Sequence, residues 1–369
     1  MTIVDMNGVD LGQSTVTGKL ILDAAGDLTQ SGALEVSGMT SLTAQTTGPQ
    51  AVYYNITLDH VGNDFGLAVS VAGQDVTIVD LNGVDLGLSM VNGDLVVNAG
   101  GNVAQSGALE VLGMTIVTAK TAGTPDTYYD IALNNHFNDF DGSVSVKGQN
   151  VQLVDQSAIA LGASTVNGTL NVTSAGAITD TGDLTVKAAA TFEAGSVHSI
   201  VLDNANDFSS VGIIGGNNVT INDVGSVVLS ARTVNGNFAV TAVGDVTQSG
   251  ALVVSGNTSV TGASVTLTAP GNEFTGSVDL TGKTVSCSPS CSQVPAPAPS
   301  PAMPTASSLM FSESVFLQMS DVSIQTEQEL TDSVEIWMYF LNSPTGSTSL
   351  IEFEESQDLM LSVVTEEAV

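Results

Sequence analysis

Apolar and polar residues alternate along short stretches of the chain between Met1 and Ser286, as in Leu20 and Leu22, Leu34 and Val36, Val69 and Val71, or Val76 and Ile78. A period of two is that of a β-strand with one buried face. Gly, Asn, Asp, Ser and Thr fill the gaps, and these residues favour tight turns. Val, Leu, Ile and Ala supply most of the apolar share while aromatics are few, so the pattern predicts an all-β fold of many short strands.

The stretches recur. VTGKLIL starts at Val16, VNGDLVV at Val91, VNGTLNV at Val166 and VNGNFAV at Val234, and their glycines are Gly18, Gly93, Gly168 and Gly236. The first two intervals are equal and the third is slightly shorter. QSGALEV at Gln30 and Gln105, DTGDLTV at Asp180 and QSGALVV at Gln248 keep step, as do NDF at Asn63, Asn138 and Asn206 with NEF at Asn272. What the third unit lacks falls where the first two carry TTGPQAVYYN and TAGTPDTYYD, which marks that stretch as a loop insertion.

Positions predicted to point inward repeat as well. Leu20 corresponds to Leu95, Leu170 and Phe238; Leu22 corresponds to Val97, Val172 and Val240; Phe65 corresponds to Phe140, Phe208 and Phe274. Between the first two sets lie Ile21, Val96, Asn171 and Ala239, whose polarity varies. A parallel β-helix explains this: stacked coils place equivalent side chains in ladders through one core. Three coils of about 23 residues per unit give about 12 coils and a rod on the order of 60 Å. A string of small β-sandwiches is the competing fold, with hairpins at Asn82, Asn92, Asn167 and Asn235. It is disfavoured because the units adjoin without linkers and carry almost no aromatic core. One departure stands out: the third unit puts Gly212 where the second has Val144, which predicts a distorted or shifted coil.

Charge changes the picture of partners. Six Lys and Arg face 38 Asp and Glu, a formal net charge of −32. Phosphate backbones and anionic lipid heads need cations to neutralise them, so nucleic acid is excluded as a partner. The start, MTIVDMNGVDLGQSTV, has neither the basic nor the apolar region of a signal peptide. Met1 aligns with Val76, in the middle of a unit. The expectation is a C-terminal section of a longer protein, whose bare first coil invites edge-to-edge self-association.

The repeat ends at Ser286. Residues 287–305 form a Cys- and Pro-rich linker, in which Cys287 and Cys291 either make a small disulfide loop or stay as two thiols. Residues 306–369 hold 12 acids and no Lys or Arg. There Thr326 and Glu329 make a capping box, and Leu330, Val334, Trp337, Met338 and Leu341 share one face of a helix expected over 327–341.

Candidate chemistry is sparse. Asp64, Asp139, Asp207 and Glu273 are expected to form a column of acids three coils, about 14 Å, apart, beyond the reach of paired glycosidase carboxylates. His60, His136 and His198 occupy unrelated positions with no nucleophile or ligand pattern beside them. Neither the repeated calcium nonapeptide nor a phosphate loop is present. No catalytic, cofactor-binding or metal-binding residue is assigned, and the chain is read as no enzyme.

In combination, NDF-x-G-x-V-x-V at Asn138, NV at Asn150, LG at Leu161, VNG-x-L and QSGAL resemble the filamentous-haemagglutinin-like exoproteins of two-partner secretion. That resemblance runs from Met1 to about Ser286. It implies a right-handed parallel β-helix, carried through an outer membrane by a transporter partner and displayed on the cell surface or released. Its function would be adhesion to host or neighbouring-cell surface molecules or glycans. The alternative is a polysaccharide-active β-helix enzyme, a lyase or hydrolase.

Overall fold

A computed structural model of the chain describes residues 1–48, 50–230, 233–292, 349–353 and 361–365. Two bodies are separated by their contacts, Met1–Ala298 and Pro299–Val369. The first is a parallel β-solenoid of about 14 turns. Its strands pair with the strand one turn further along the chain: Thr2 with Ile21, Leu20 with Thr40, Leu95 with Thr115. At about 4.8 Å per turn the stack is about 67 Å long. The turns are more numerous and shorter than the sequence suggested, because a unit holds more than the three coils assumed for it: Val76 stacks on Ile56 and Val151 on Ile131, one face further round. Thr40 pairs with Val69 and Thr115 with Val144, each across a longer excursion, and the intervening segments leave the coil. They are the predicted insertions, tied at their bases by the antiparallel bridges Gln45 to Tyr53 and Lys120 to Tyr128. Lys120 Nζ also lies 2.7 Å from Asp126 Oδ2.

The core is one continuous column of aliphatic side chains with a few phenylalanines. Leu20, Leu95, Leu170, Phe238, Phe65, Phe140, Phe208 and Phe274 are all buried in it. They do not stack on one another as expected. Phe65, Phe140, Phe208 and Phe274 instead register on Val36, Val111, Val186 and Val254.

The reason lies in how the repeat units join. Thr2–Asp5, which opens the first unit, stacks with Leu20–Ala24, Thr40–Ala44 and Val69–Gly73. Val76–Asp80, its equivalent in the second unit, stacks instead on Ile56–Leu58, the second face of the preceding turn. Val151–Asp155 stacks likewise on Ile131–Leu133, and Val219–Asp223 on the start of Ile200–Gly215. Each unit therefore winds three turns plus one face. Equivalent residues of successive units look out of adjacent faces, and the fourth unit returns to the face of the first.

Corner glycines make the close stacking possible. A Cβ on Gly113 would lie 2.5 Å from the Gly93 carbonyl carbon, and one on Gly38 would lie 2.5 Å from that of Gly18. No side chain fits there, which explains Gly38 and Gly113, and likewise Gly256 above Gly236; a Cβ on Gly93, Gly168 or Gly236 would meet Oδ1 of Asp75, Asn150 or Asn218 on the turn below, whereas one on Gly18 would meet nothing. The predicted irregularity at Gly212 is a register shift. A bulge between Val186 and Ala189 lets Ala190 pair with Val211, so Val211 fills the place that Val144 takes one unit earlier. Gly212 thereby moves to the position that Ser145 holds in the second unit.

At the far end, Thr284–Cys287 is the last strand and Pro289–Ser292 a 3-10 turn; Cys287 and Cys291 are joined in a disulfide and pack on the core. Ordered rod elements thus extend into the segment read as linker. Within Pro299–Val369, Ser349–Phe353 and Leu361–Thr365 form an antiparallel pair. The helix expected over 327–341 lies outside the described residues.

Three inward threonines, Thr40, Thr115 and Thr258, bury a hydroxyl that has no partner among the described residues. The third unit has Ala190 at the equivalent place. An unsatisfied buried hydroxyl costs on the order of 1 kcal/mol or more, and Val keeps its shape. Thr115→Val is therefore expected to stabilise the rod by about 1 kcal/mol in chemical denaturation; a loss of stability would show that the hydroxyl is bonded.

Candidate functional site

The acids and amides singled out by the repeat sit at the corners of the rod. Asn63, Asn138, Asn206 and Asn272 are buried. Asn63 Oδ1 accepts from the Leu34 N–H at 2.9 Å and from Gln30 Nε2 at 2.8 Å, while its Nδ2 donates to Gln30 Oε1 at 2.8 Å. The same two-way amide pair joins Gln105 to Asn138 and Gln248 to Asn272. In the third unit Asp180 replaces the glutamine, and Asn206 Nδ2 donates to its Oδ2 at 2.7 Å. QSGAL and NDF are therefore two halves of one staple between neighbouring turns, a link that reading each motif alone missed.

Exposed Asp and Asn build a second kind of ladder. Asp27 Oδ1 accepts from the Asn55 N–H, Asn55 Oδ1 from Asp75, Asp75 Oδ1 from Asp94 and Asp94 Oδ1 from Met114, at 2.7–3.2 Å. Part of the negative charge is thus structural: each carboxylate occupies a backbone donor of the next turn.

Asp64, Asp139, Asp207 and Glu273 do not form the expected column, because each lies one face round from the last. Each of the first three instead has a buried aspartate beside it. Asp80, Asp155 and Asp223 accept from the N–H groups of Phe65, Phe140 and Phe208 at 2.7–2.8 Å and from the N–H two residues on at 2.6–2.8 Å. Ser157 Oγ donates to both Asp139 and Asp155, 2.9 Å from each. The inner member of each pair is buried and held by two backbone donors, which makes it part of the corner. Burial pushes Asp80, Asp155 and Asp223 above the ordinary carboxylate range, with Asp64, Asp139 and Asp207 adding to the rise and the backbone donors opposing it.

His60, just before a turn, and His136, on one, are exposed, and His198 is half-buried at a bend. His60 Nδ1 accepts from the Gly62 N–H at 3.1 Å. Among the described residues no three His, Cys, Asp or Glu side chains converge as a metal site.

What does break the surface is a groove of about 270 Å³ on the second repeat unit. Its floor is an outward ladder over four consecutive turns, Ala72, Met90, Glu110 and Asp139, each the register partner of the next. Leu88 and Phe137 wall one side. They are 71% and 73% exposed, and Met90 is 39% exposed. Tyr53, from the first insertion, reaches Met90 Sδ with its hydroxyl at 3.5 Å. Phe137 is held on its turn by its own N–H, which donates to Asn135 Oδ1 at 3.0 Å.

The other units carry polar or small residues at these places. Leu88 corresponds to Gln13 and Ala163, Met90 to Thr15, Thr165 and Thr233, and Phe137 to Gly62, Ala205 and Gly271. Leu112, at the next corner, is 47% exposed where the first unit has Ser37, whereas Met114 beside it, 48% exposed, has a counterpart in Met39 at 57%. Solvent-facing apolar side chains clustered in one repeat and absent from its copies mark a contact surface better than scattered ones. Comparing outward rather than inward positions across the units would have found it in the sequence.

Two outcomes test the corners. Asn138→Ala strands the Leu109 N–H and unpairs Gln105, and is expected to cost on the order of 3 kcal/mol in denaturant unfolding. The folded Asp80, Asp155 and Asp223 bind protons more tightly than the unfolded chain does. Their contribution is therefore full below the ordinary carboxylate pKa and is lost as pH rises through the raised folded values. The melting temperature should fall from about pH 4 to pH 7, and the triple variant Asp80→Asn, Asp155→Asn, Asp223→Asn should show a shallower slope. Equal slopes would refute the assignment.

A family model described as Repeats of unknown function (DUF5649) matches residues 1–72, 73–147, 148–214 and 216–281. No curated protein and no solved structure matches the chain. The first two boundaries fall beside Val69–Gly73 and Ser143–Gly148, where the chain steps to the next face of the rod. The matched segments are the same units that the corner staples and the face shift define, and the chain belongs to this family of repeats, in four consecutive copies.

Proposed function

We propose that the chain is a structural and adhesive shaft of a secreted bacterial surface protein, and that the second repeat unit carries its contact face. The observation that carries this reading is the groove in which Leu88, Met90 and Phe137 cluster beside Glu110 and Asp139 on a strongly acidic solenoid. A solenoid of short turns holds such a face at a fixed height, because each turn is bonded to its neighbours along its whole perimeter. The haemagglutinin-like pattern of motifs supports the same reading. On this reading the protein would act outside the cell or on its surface, after passage through an outer-membrane transporter, with cell-surface molecules or glycans of a host or neighbour as partners.

The second reading, a polysaccharide-active enzyme, has one observation in its favour: Glu110 and Asp139 stand on adjacent strands about 4.8 Å apart. Against it, both side chains rise from the same face, side by side. Glycosidase carboxylates flank the scissile bond from opposite sides.

Beads coated with the full chain are expected to adhere to cells or immobilised surface glycans, and beads carrying Leu88→Gln, Met90→Thr, Phe137→Gly to lose that adhesion. Adhesion unchanged by these substitutions would remove the groove from the reading, and no adhesion by either would remove the reading itself. Release of reducing or unsaturated ends from polysaccharides, abolished by Glu110→Gln, would favour the enzyme.

A further inference from the structure

We infer that the groove of the second unit binds a cationic amphipathic segment of a partner protein, one that sets alternate apolar side chains against Leu88, Met90 and Phe137 and Lys or Arg against Glu110 and Asp139. This rests on the adhesive reading above and names the chemistry of its partner.

Three features carry it. First, the groove pairs an apolar wall with two carboxylates, and no Lys or Arg lines it. Second, Glu110 and Asp139 are register partners on parallel strands, so two carboxylates stand side by side on the groove floor. The first unit has the same pair in Glu35 and Asp64; only in the second unit does it lie beside Leu88, Met90 and Phe137, where a cation and apolar side chains of one ligand can be met together. Third, the surrounding surface repels acidic occupants: six Lys and Arg stand against 38 Asp and Glu in the whole chain. A second copy brings the same excess of acid to the groove. The chain's own segment 306–369, with 12 acids and no Lys or Arg, brings more.

The size of the face suits a polypeptide. Its ladder runs over four turns, about 14 Å along the rod, which is the span of about four or five extended residues. Two apolar anchors and two cations at alternating positions fill that length. Apolar anchors supply affinity in such contacts, and charge complementarity supplies the on-rate and selects against acidic competitors.

The test uses the full chain and three synthetic peptides of equal length: alternating Leu and Lys, alternating Leu and Glu, and oligolysine. By fluorescence anisotropy the Leu–Lys peptide is expected to bind the wild type about tenfold or more tightly than it binds the variant Leu88→Gln, Met90→Thr, Phe137→Gly. These substitutions are residues that other units hold at the same places. Glu110→Gln with Asp139→Asn should also weaken it and reduce its sensitivity to salt. Oligolysine should bind wild type and variants alike, through the general acidic surface. Equal binding of the Leu–Lys peptide to wild type and the triple variant would overturn the inference, as would equal binding of the Leu–Glu peptide. So would self-association of the wild type that the triple variant abolishes, which assigns the groove to a second copy. Faster hydrogen exchange in residues 306–369 of the triple variant would assign it to the chain's own tail. Cell adhesion separates the two claims: if adhesion survives in the wild type and is lost in the triple variant while the peptide fails, the adhesive reading stands and the partner chemistry falls. If the peptide binds and no adhesion occurs, the reverse holds.

Discussion

Every turn of this rod must return over its own start at one strand spacing, with backbone donors of one turn meeting acceptors of the next. Along most of the solenoid that demand is met by short turns of nearly constant length, which bring Ile21 over Thr2, Thr40 over Leu20 and Thr115 over Leu95. The other features of the unit follow from it. Inward side chains have to stack in register. Corners have to pass within van der Waals distance of the corner below, which leaves space for Gly113 above Gly93 and for nothing larger. Backbone groups at corners, which cannot join a ladder, need side-chain partners. Asn63 with Gln30, and the Asp27 to Asp94 series, are those partners. A segment that does not return in time leaves the coil, as both Tyr-containing insertions do.

Because each unit ends one face beyond where it began, the same surface sequence points in three directions along the rod. Any property shared by all four units is thus spread around the perimeter. A directed site has to come from residues that one unit alone carries. Leu88, Met90 and Phe137 are of that kind, whereas the NDF acids, common to the first three units, face different ways and cannot act together.

Much of the architecture was readable from the chain because its signals are local or periodic. Alternation identified the buried positions, and the recurrence at Val16, Val91, Val166 and Val234 identified the unit and its dispensable loop. The face shift was not readable. The spacing of the units fits a whole number of turns as well as it fits three turns and a third, and only the pairing of Val76 with Ile56 distinguishes them. The column of Asp64, Asp139, Asp207 and Glu273 failed for that reason. The staple was hidden because its halves, Gln30 and Asn63, are distant in the chain and each makes sense alone as a turn residue. Asp180 in place of glutamine was the available clue, since a partner of Asn206 Nδ2 has to remain an acceptor. The groove escaped notice because the repeat draws attention to what its copies share.

The division between shared and unshared residues also bears on how such a surface can change. Inward, corner and staple positions are each tied to the turns above and below, so a substitution there strains two neighbours at once. Outward mid-strand positions meet chiefly the outward residues stacked directly on them, as Met90 meets Ala72 and Glu110, with Tyr53 of the first insertion as an added neighbour. The second unit's Met90 stands where the others have Thr15, Thr165 and Thr233, and the parallel register is maintained through all four. Binding properties can therefore be altered on one face of one unit without disturbing the stack, and a carboxylate pair such as Glu110 and Asp139 can be carried there at the expense of local repulsion alone. The same independence explains why an identical fold gives little guide to function in this architecture, and why the residues in which one copy departs from its neighbours do.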